Sequence, residues 1–154
     1  MGVADGGLRK TFKDHLPKPD WRWTPIETRG THNGVPDSFY LHRPSSSHGW
    51  LECKITTGWA VKFEPMQIAW LMLHSDGGVP CWIAVRASGV GSGGGSGDSL
   101  WLLHGLAAET LSKDGLRCDP SLVHGVWFGK PAEWNWKQVT TLLTSKLGTI
   151  PALK

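Results

Sequence analysis

The run Gly49-Trp50-Leu51-Glu52-Cys53-Lys54-Ile55 constrains this chain more than any other stretch. Alternate side chains of a strand face opposite sides, so Leu51, Cys53 and Ile55 define an apolar face while Glu52 and Lys54 share the other. Upstream, Ser38-Phe39-Tyr40-Leu41-His42-Arg43 is rich in strand-favouring residues, and Pro44-Ser45-Ser46-Ser47-His48-Gly49 supplies a turn. The two segments predict a hairpin. It carries Asp37, in the turn Gly34-Val35-Pro36-Asp37, toward Glu52 and Lys54.

Two carboxylates converging beside one ammonium suit Mg²⁺, with Mn²⁺ as its substitute, because such a hard cation takes one or two protein carboxylates and completes its shell with water and phosphate. The bound ion would lower the pKa of a water and polarise a phosphodiester oxygen. Lys54 would orient that water or stabilise developing negative charge. Zinc is disfavoured, since Cys53, Cys81 and Cys118 are scattered and neither Cys-x-x-Cys nor paired-histidine spacing occurs. The ordinary alternative is that Pro36-Asp37 is only a turn and Glu52/Lys54 a surface pair, since each piece alone is common.

The segment that follows adds order to these pieces. Pro65 suits the first turn of a helix, Ile68, Leu71 and Met72 recur at helical spacing, and Gly77-Gly78 closes it. Gln67 falls in the first turn. Val79 to Val85, centred on Trp82-Ile83-Ala84-Val85, reads as a buried strand.

The series Glu27, Gly34-Val35-Pro36-Asp37, Glu52-Cys53-Lys54, Gln67 with Trp70-Leu71, Gly77-Gly78 and an apolar strand resembles the PD-(D/E)XK nuclease superfamily. Within it the chain is most similar to phage-borne, virus-type replication-repair nuclease (VRR-NUC) domains and small Holliday-junction resolvases. The likeness covers roughly residues 20 to 86. It implies that Asp37 and Glu52 ligate the metal with the Cys53 carbonyl, and that Lys54 positions the attacking water. Gln67 then corresponds to the helix glutamine beside the lysine and the substrate phosphate. Glu27 corresponds to an upstream glutamate that completes the acidic cluster. The implied fold is α/β, with a restriction-endonuclease-like mixed central sheet flanked by helices. The implied activity is Mg²⁺- or Mn²⁺-dependent DNA endonuclease, of the kind used in DNA repair and recombination. Small size favours structure-selective cutting of Holliday junctions or other branched DNA by a homodimer. A flap, single-strand or nicking nuclease is the nearest alternative, followed by a non-catalytic nucleic-acid-binding module of the same fold.

At 154 residues the chain is read as one domain with a real core. Its net charge of +3 and pI ≈ 8.9 permit nucleic-acid binding. Arg9, Lys10, Lys13 and Lys18 make the N-terminus basic, while Arg22, Arg29, Arg43 and Lys62 surround the proposed site. Of these, Arg22, Arg29, Arg43, Lys62, Lys10 and Lys13 are the candidate phosphate contacts. Among ten tryptophans, Trp50, Trp59, Trp70, Trp82 and Trp101 read as core or interface. Trp21, Trp23, Trp134 and Trp136 read as base-stacking or dimer candidates.

An odd cysteine count reads as reduced thiols, and neither a signal segment nor a membrane span is visible. The expectation is a cytoplasmic protein of a bacterium or a virus-infected cell. Leu8, Phe12 and Leu16 predict an N-terminal amphipathic helix ended by Pro17 and Pro19. The Gly/Ser stretch 89–98 reads as a flexible hairpin connection and not a nucleotide site, since it lacks the lysine of a phosphate-cradling loop. A strand Ser99–His104, a helix-like Leu106 to Leu111 and a closing helix within Pro131–Leu147 complete the prediction. His104 and His124 read as ordinary surface or core histidines.

Overall fold

The computed structural model describes residues 7–26, 34–90 and 97–146. Among them six strands form one sheet in chain order: β1 (Trp21–Pro25), β2 (Ser38–His42), β3 (Ser47–Thr56), β4 (Cys81–Ser88), β5 (Asp98–His104) and β6 (Val123–Phe128). Four α-helices flank it: α1 (Leu8–His15), α2 (Pro65–Asp76), α3 (Ala108–Asp114) and α4 (Trp136–Leu143). The class is therefore α/β with a mixed central sheet between helices. The order helix, strand, hairpin, helix, strand is the order read from the sequence.

β3 and β4 are the parallel pair, and the other neighbours are antiparallel. A parallel pair needs a long crossover, which α2 provides. Cys81 to Val85 are all buried, as an unbroken apolar run should be in a strand covered on both faces. On one face, Leu8 and Phe12 of α1 and Val139 and Leu143 of α4 pack with Tyr40, Leu51, Trp82 and Leu102. The Tyr40 hydroxyl donates to the Leu143 carbonyl at 2.7 Å, tying α4 to β2. On the other face, Leu71 of α2 and Leu111 of α3 pack with Ile83, Val85 and Leu103. β1 is an edge strand, where Pro25 removes no ladder hydrogen bond.

Several boundaries differ from the sequence expectation. β3 starts at Ser47, two residues before Gly49, because the hairpin turn closes tightly with Ser46 at φ 58. β6 was not anticipated. Its side chains show no buried/exposed alternation and Gly125 interrupts it. The helix-like Leu106 to Leu111 begins as a 3-10 turn over Gly105–Ala107 before α3. The C-terminal helix is shorter than Pro131–Leu147. It starts at Trp136, where the Asn135 side chain accepts from the Gln138 N–H at 3.0 Å. Leu147 and most of the Gly/Ser stretch, residues 91–96, lie outside the described residues. The three cysteines are buried, and no described helix is long and apolar enough to cross a membrane.

Candidate active site

The hairpin register sets the geometry. Ser38 pairs with Leu51, so Asp37, one residue earlier, falls beside Glu52. Asp37 Oδ2 accepts from the Cys53 N–H at 2.8 Å, and the Asp37 carbonyl accepts from the Ile26 N–H at 2.9 Å. Gly34 explains how this turn reaches the helix. It has φ 76, and a side chain on it would collide with the Met66 carbonyl in the first turn of α2. The Pro36-Asp37 turn and the start of α2 are thus in direct contact.

Glu52 is 2% exposed, and the surface-pair alternative does not survive that burial. Its Oε2 accepts from Gln67 Nε2 at 3.0 Å and lies 3.6 Å from Lys54 Nζ. Lys54 Nζ in turn donates to Gln67 Oε1 at 2.8 Å and sits 4.5 Å from the centroid of the Phe63 ring. Gln67 Oε1 also accepts from the Glu64 N–H at 2.9 Å, so one carboxamide caps α2 and grips both charged side chains. Glu52 Oε1 is buried without a hydrogen-bond partner among the described residues. Burial first, and then the neighbouring Asp37 charge, push the Glu52 carboxyl up to about 8, with Lys54 pulling the other way.

These groups open into a cleft of ≈ 750 Å³ at the C-terminal end of β3. Asp37, Glu52, Cys53, Lys54 and Gln67 line one part of it, Ile55 and Trp59 another, and Arg9 and Lys62 supply further positive charge. No three His, Cys, Asp or Glu side chains cluster as a metal site among the described residues. The donor set is instead two carboxylates, with Cys53 lining the same space. An all-oxygen pair carrying one unsatisfied buried oxygen fits a hard cation such as Mg²⁺, which needs few protein ligands.

The remaining sequence candidates separate clearly. Glu27 and Arg29 lie outside the described residues. Lys62 lines the cleft, but Arg22, Arg43, Lys10 and Lys13 do not. Arg22 donates to the Trp21 carbonyl at 3.3 Å, Lys10 is paired with Asp14 at 2.6 Å, and Arg43 sits in the hairpin turn at the far end of β3. Arg9 lines the cleft, whereas the sequence reading counts it only in the basic N-terminus and not among the candidate phosphate contacts. The available signal was its position next to Leu8, which with Phe12 fixes how α1 lies on the sheet. The core reading holds for Trp82, which is fully buried, and for Trp50, Trp59, Trp70 and Trp101, which pack partly buried against the core, but the four base-stacking candidates are not in the cleft. Trp21 and Trp134 are buried, Trp23 Nε1 donates to the Leu16 carbonyl at 2.9 Å, and Trp136 stacks on His15 at 4.6 Å, whereas Trp59 lines the cleft.

Comparisons with protein-family models, characterised proteins and solved structures gave no match.

Proposed function

We propose that this protein is a metal-dependent phosphodiesterase acting on DNA, an endonuclease built on the PD-(D/E)XK pattern. The observation that carries this reading is Glu52, buried beside Asp37 and Lys54 at the wall of an open cleft, with one carboxylate oxygen unsatisfied. Asp37 and Glu52 would hold Mg²⁺ or Mn²⁺. When bound, the ion supplies charge neutralisation at the phosphate and a more acidic water.

The chain's own residues do the rest. Gln67 holds Lys54 and Glu52 in fixed relation, so little reorganisation is needed when the substrate arrives. Lys54 places a positive charge where negative charge develops on the phosphate, and is in position to orient the attacking water. Arg9 and Lys62 face the same space and would neutralise flanking phosphates.

A homodimer cutting Holliday junctions or other branched DNA is the form of this reading that a small chain favours. Flap, single-strand or nicking activity is its nearest variant. The test is a panel of labelled four-way junction, flap, duplex and single strand incubated with Mg²⁺ or Mn²⁺. Cleavage of at least one substrate that disappears in Glu52→Gln supports hydrolysis. No cleavage of any substrate, with nucleic-acid binding retained, would establish the non-catalytic binding module instead.

A further inference from the structure

We propose that Trp59, with Ile55, forms a seat for an unpaired nucleobase next to the phosphate that a cation at Asp37 and Glu52 would attract, so that the strand in the cleft is single-stranded. The inference rests on the nuclease reading of the carboxylate end. Ile55 continues the apolar face of Leu51 and Cys53, yet it is 46% exposed where they are buried, and it lines the cleft. An apolar side chain left open inside a charged cleft calls for an apolar part of the ligand, and the base is the apolar part of a nucleotide.

Trp59 meets the same need and is held rigidly. Its carbonyl accepts from the Leu116 N–H at 2.7 Å, and Gly115, at φ 66, packs so closely on that carbonyl that a side chain there would collide with it. The Arg117 guanidinium lies 4.8 Å from the ring centroid, and Trp101 meets the ring edge-on at 6.3 Å. A ring fixed in this way loses little freedom when a base stacks on it.

The same cleft holds Arg9, Lys54 and Lys62, so phosphate-seeking and base-seeking groups share one space of ≈ 750 Å³. Bases in a duplex are stacked and paired, and extruding one costs unstacking and unpairing energy, so a base reaches Trp59 most readily from a single strand, a flap or a frayed end. Stacking on an aromatic face is tolerant of base identity, and the seat carries no sequence preference.

The test is fluorescence anisotropy with a labelled short oligothymidylate, an abasic oligonucleotide of the same length, and a duplex, with Ca²⁺ present to slow turnover. Wild-type protein is expected to bind the oligothymidylate roughly tenfold tighter than the abasic strand, the order of one base–aromatic contact. Trp59→Ala should bind both strands alike, and Trp59→Phe should recover most of the difference. Equal wild-type affinity for the thymidylate and abasic strands would overturn the proposal without reference to any variant's folding. Discrimination retained in Trp59→Ala would also overturn it. Absence of cleavage with discrimination intact would refute hydrolysis and leave the seat standing, while cleavage without discrimination would refute the seat alone.

Discussion

Gln67 Nε2 donates to Glu52 Oε2 at 3.0 Å across the gap between α2 and β3. The oxygen of the same carboxamide accepts from Lys54 Nζ at 2.8 Å, so its orientation is fixed by a cation on one side and an acceptor on the other. Gln67→Ala is therefore expected to weaken Mn²⁺ binding by 10- to 100-fold, the usual range for groups that orient metal ligands, and to lower stability by about 1 kcal/mol. Titration calorimetry and urea denaturation read the two effects, and unchanged Mn²⁺ affinity would remove Gln67 from the site.

Glu52→Gln keeps the shape of the side chain and removes the buried charge. In metal-free protein at about pH 8 the variant should be more stable than wild type by about 1 kcal/mol, because an ionised carboxylate with an unsatisfied oxygen no longer has to be buried. It should also lose the rise in melting temperature that Mn²⁺ gives the wild type. A variant still stabilised by Mn²⁺ to the wild-type extent would show that the ion binds elsewhere.

Lys54→Ala separates metal holding from chemistry. Mn²⁺ affinity should stay within about threefold of wild type, while cleavage falls on the order of 100-fold or more, since the charge facing the phosphate is gone. Equal loss of both would make Lys54 a structural partner of Glu52 alone.

Gly34→Ala is expected to cost about 2 kcal/mol or more, because the new methyl group meets the Met66 carbonyl and the backbone holds a left-handed φ. The loss should be accompanied by weaker Mn²⁺ binding, as Asp37 is displaced from Glu52. A silent substitution in both assays would mean that the turn is not clamped against α2.

His124 gives a pH signature independent of the cleft. Burial, and then the neighbouring His104, hold its imidazole below the ordinary value, and its Nε2 is buried without a hydrogen-bond partner among the described residues. Trp82 meets it edge-on at 5.4 Å. A lowered folded-state pKa means that the unfolded chain binds the proton first as pH falls. The stability from neutral His124 is present above about pH 6.5 and is lost as pH drops through the folded-state value. Between about pH 7 and about pH 5 the wild type should lose more melting temperature than His124→Gln. Parallel curves would contradict this.

The carboxylate end of the site was legible because strand alternation and hairpin register are local rules. Once Ser38 lies opposite Leu51, Asp37, Glu52 and Lys54 have no freedom to separate. The other end was not legible. Arg9 reaches the cleft through the docking of Leu8 and Phe12 on the sheet, and Trp59 through a backbone bond to Leu116, which are contacts across long sequence distances. Trp21 and Trp134 misled for the opposite reason, since irregular flanking sequence says nothing about burial. β6 was hidden because every one of its side chains is partly exposed and Gly125 breaks the run.

The hydrogen bond from the Leu116 N–H to the Trp59 carbonyl reaches across the α2–β4–β5–α3 portion of the chain, and α1 and α4 close the opposite face over Tyr40. The stretch from residue 20 to residue 86, which holds the whole sequence pattern, is therefore not an excisable unit. A fragment cut at those limits would retain both carboxylates but lose Arg9, the clamp on Trp59 and the cover over the hairpin.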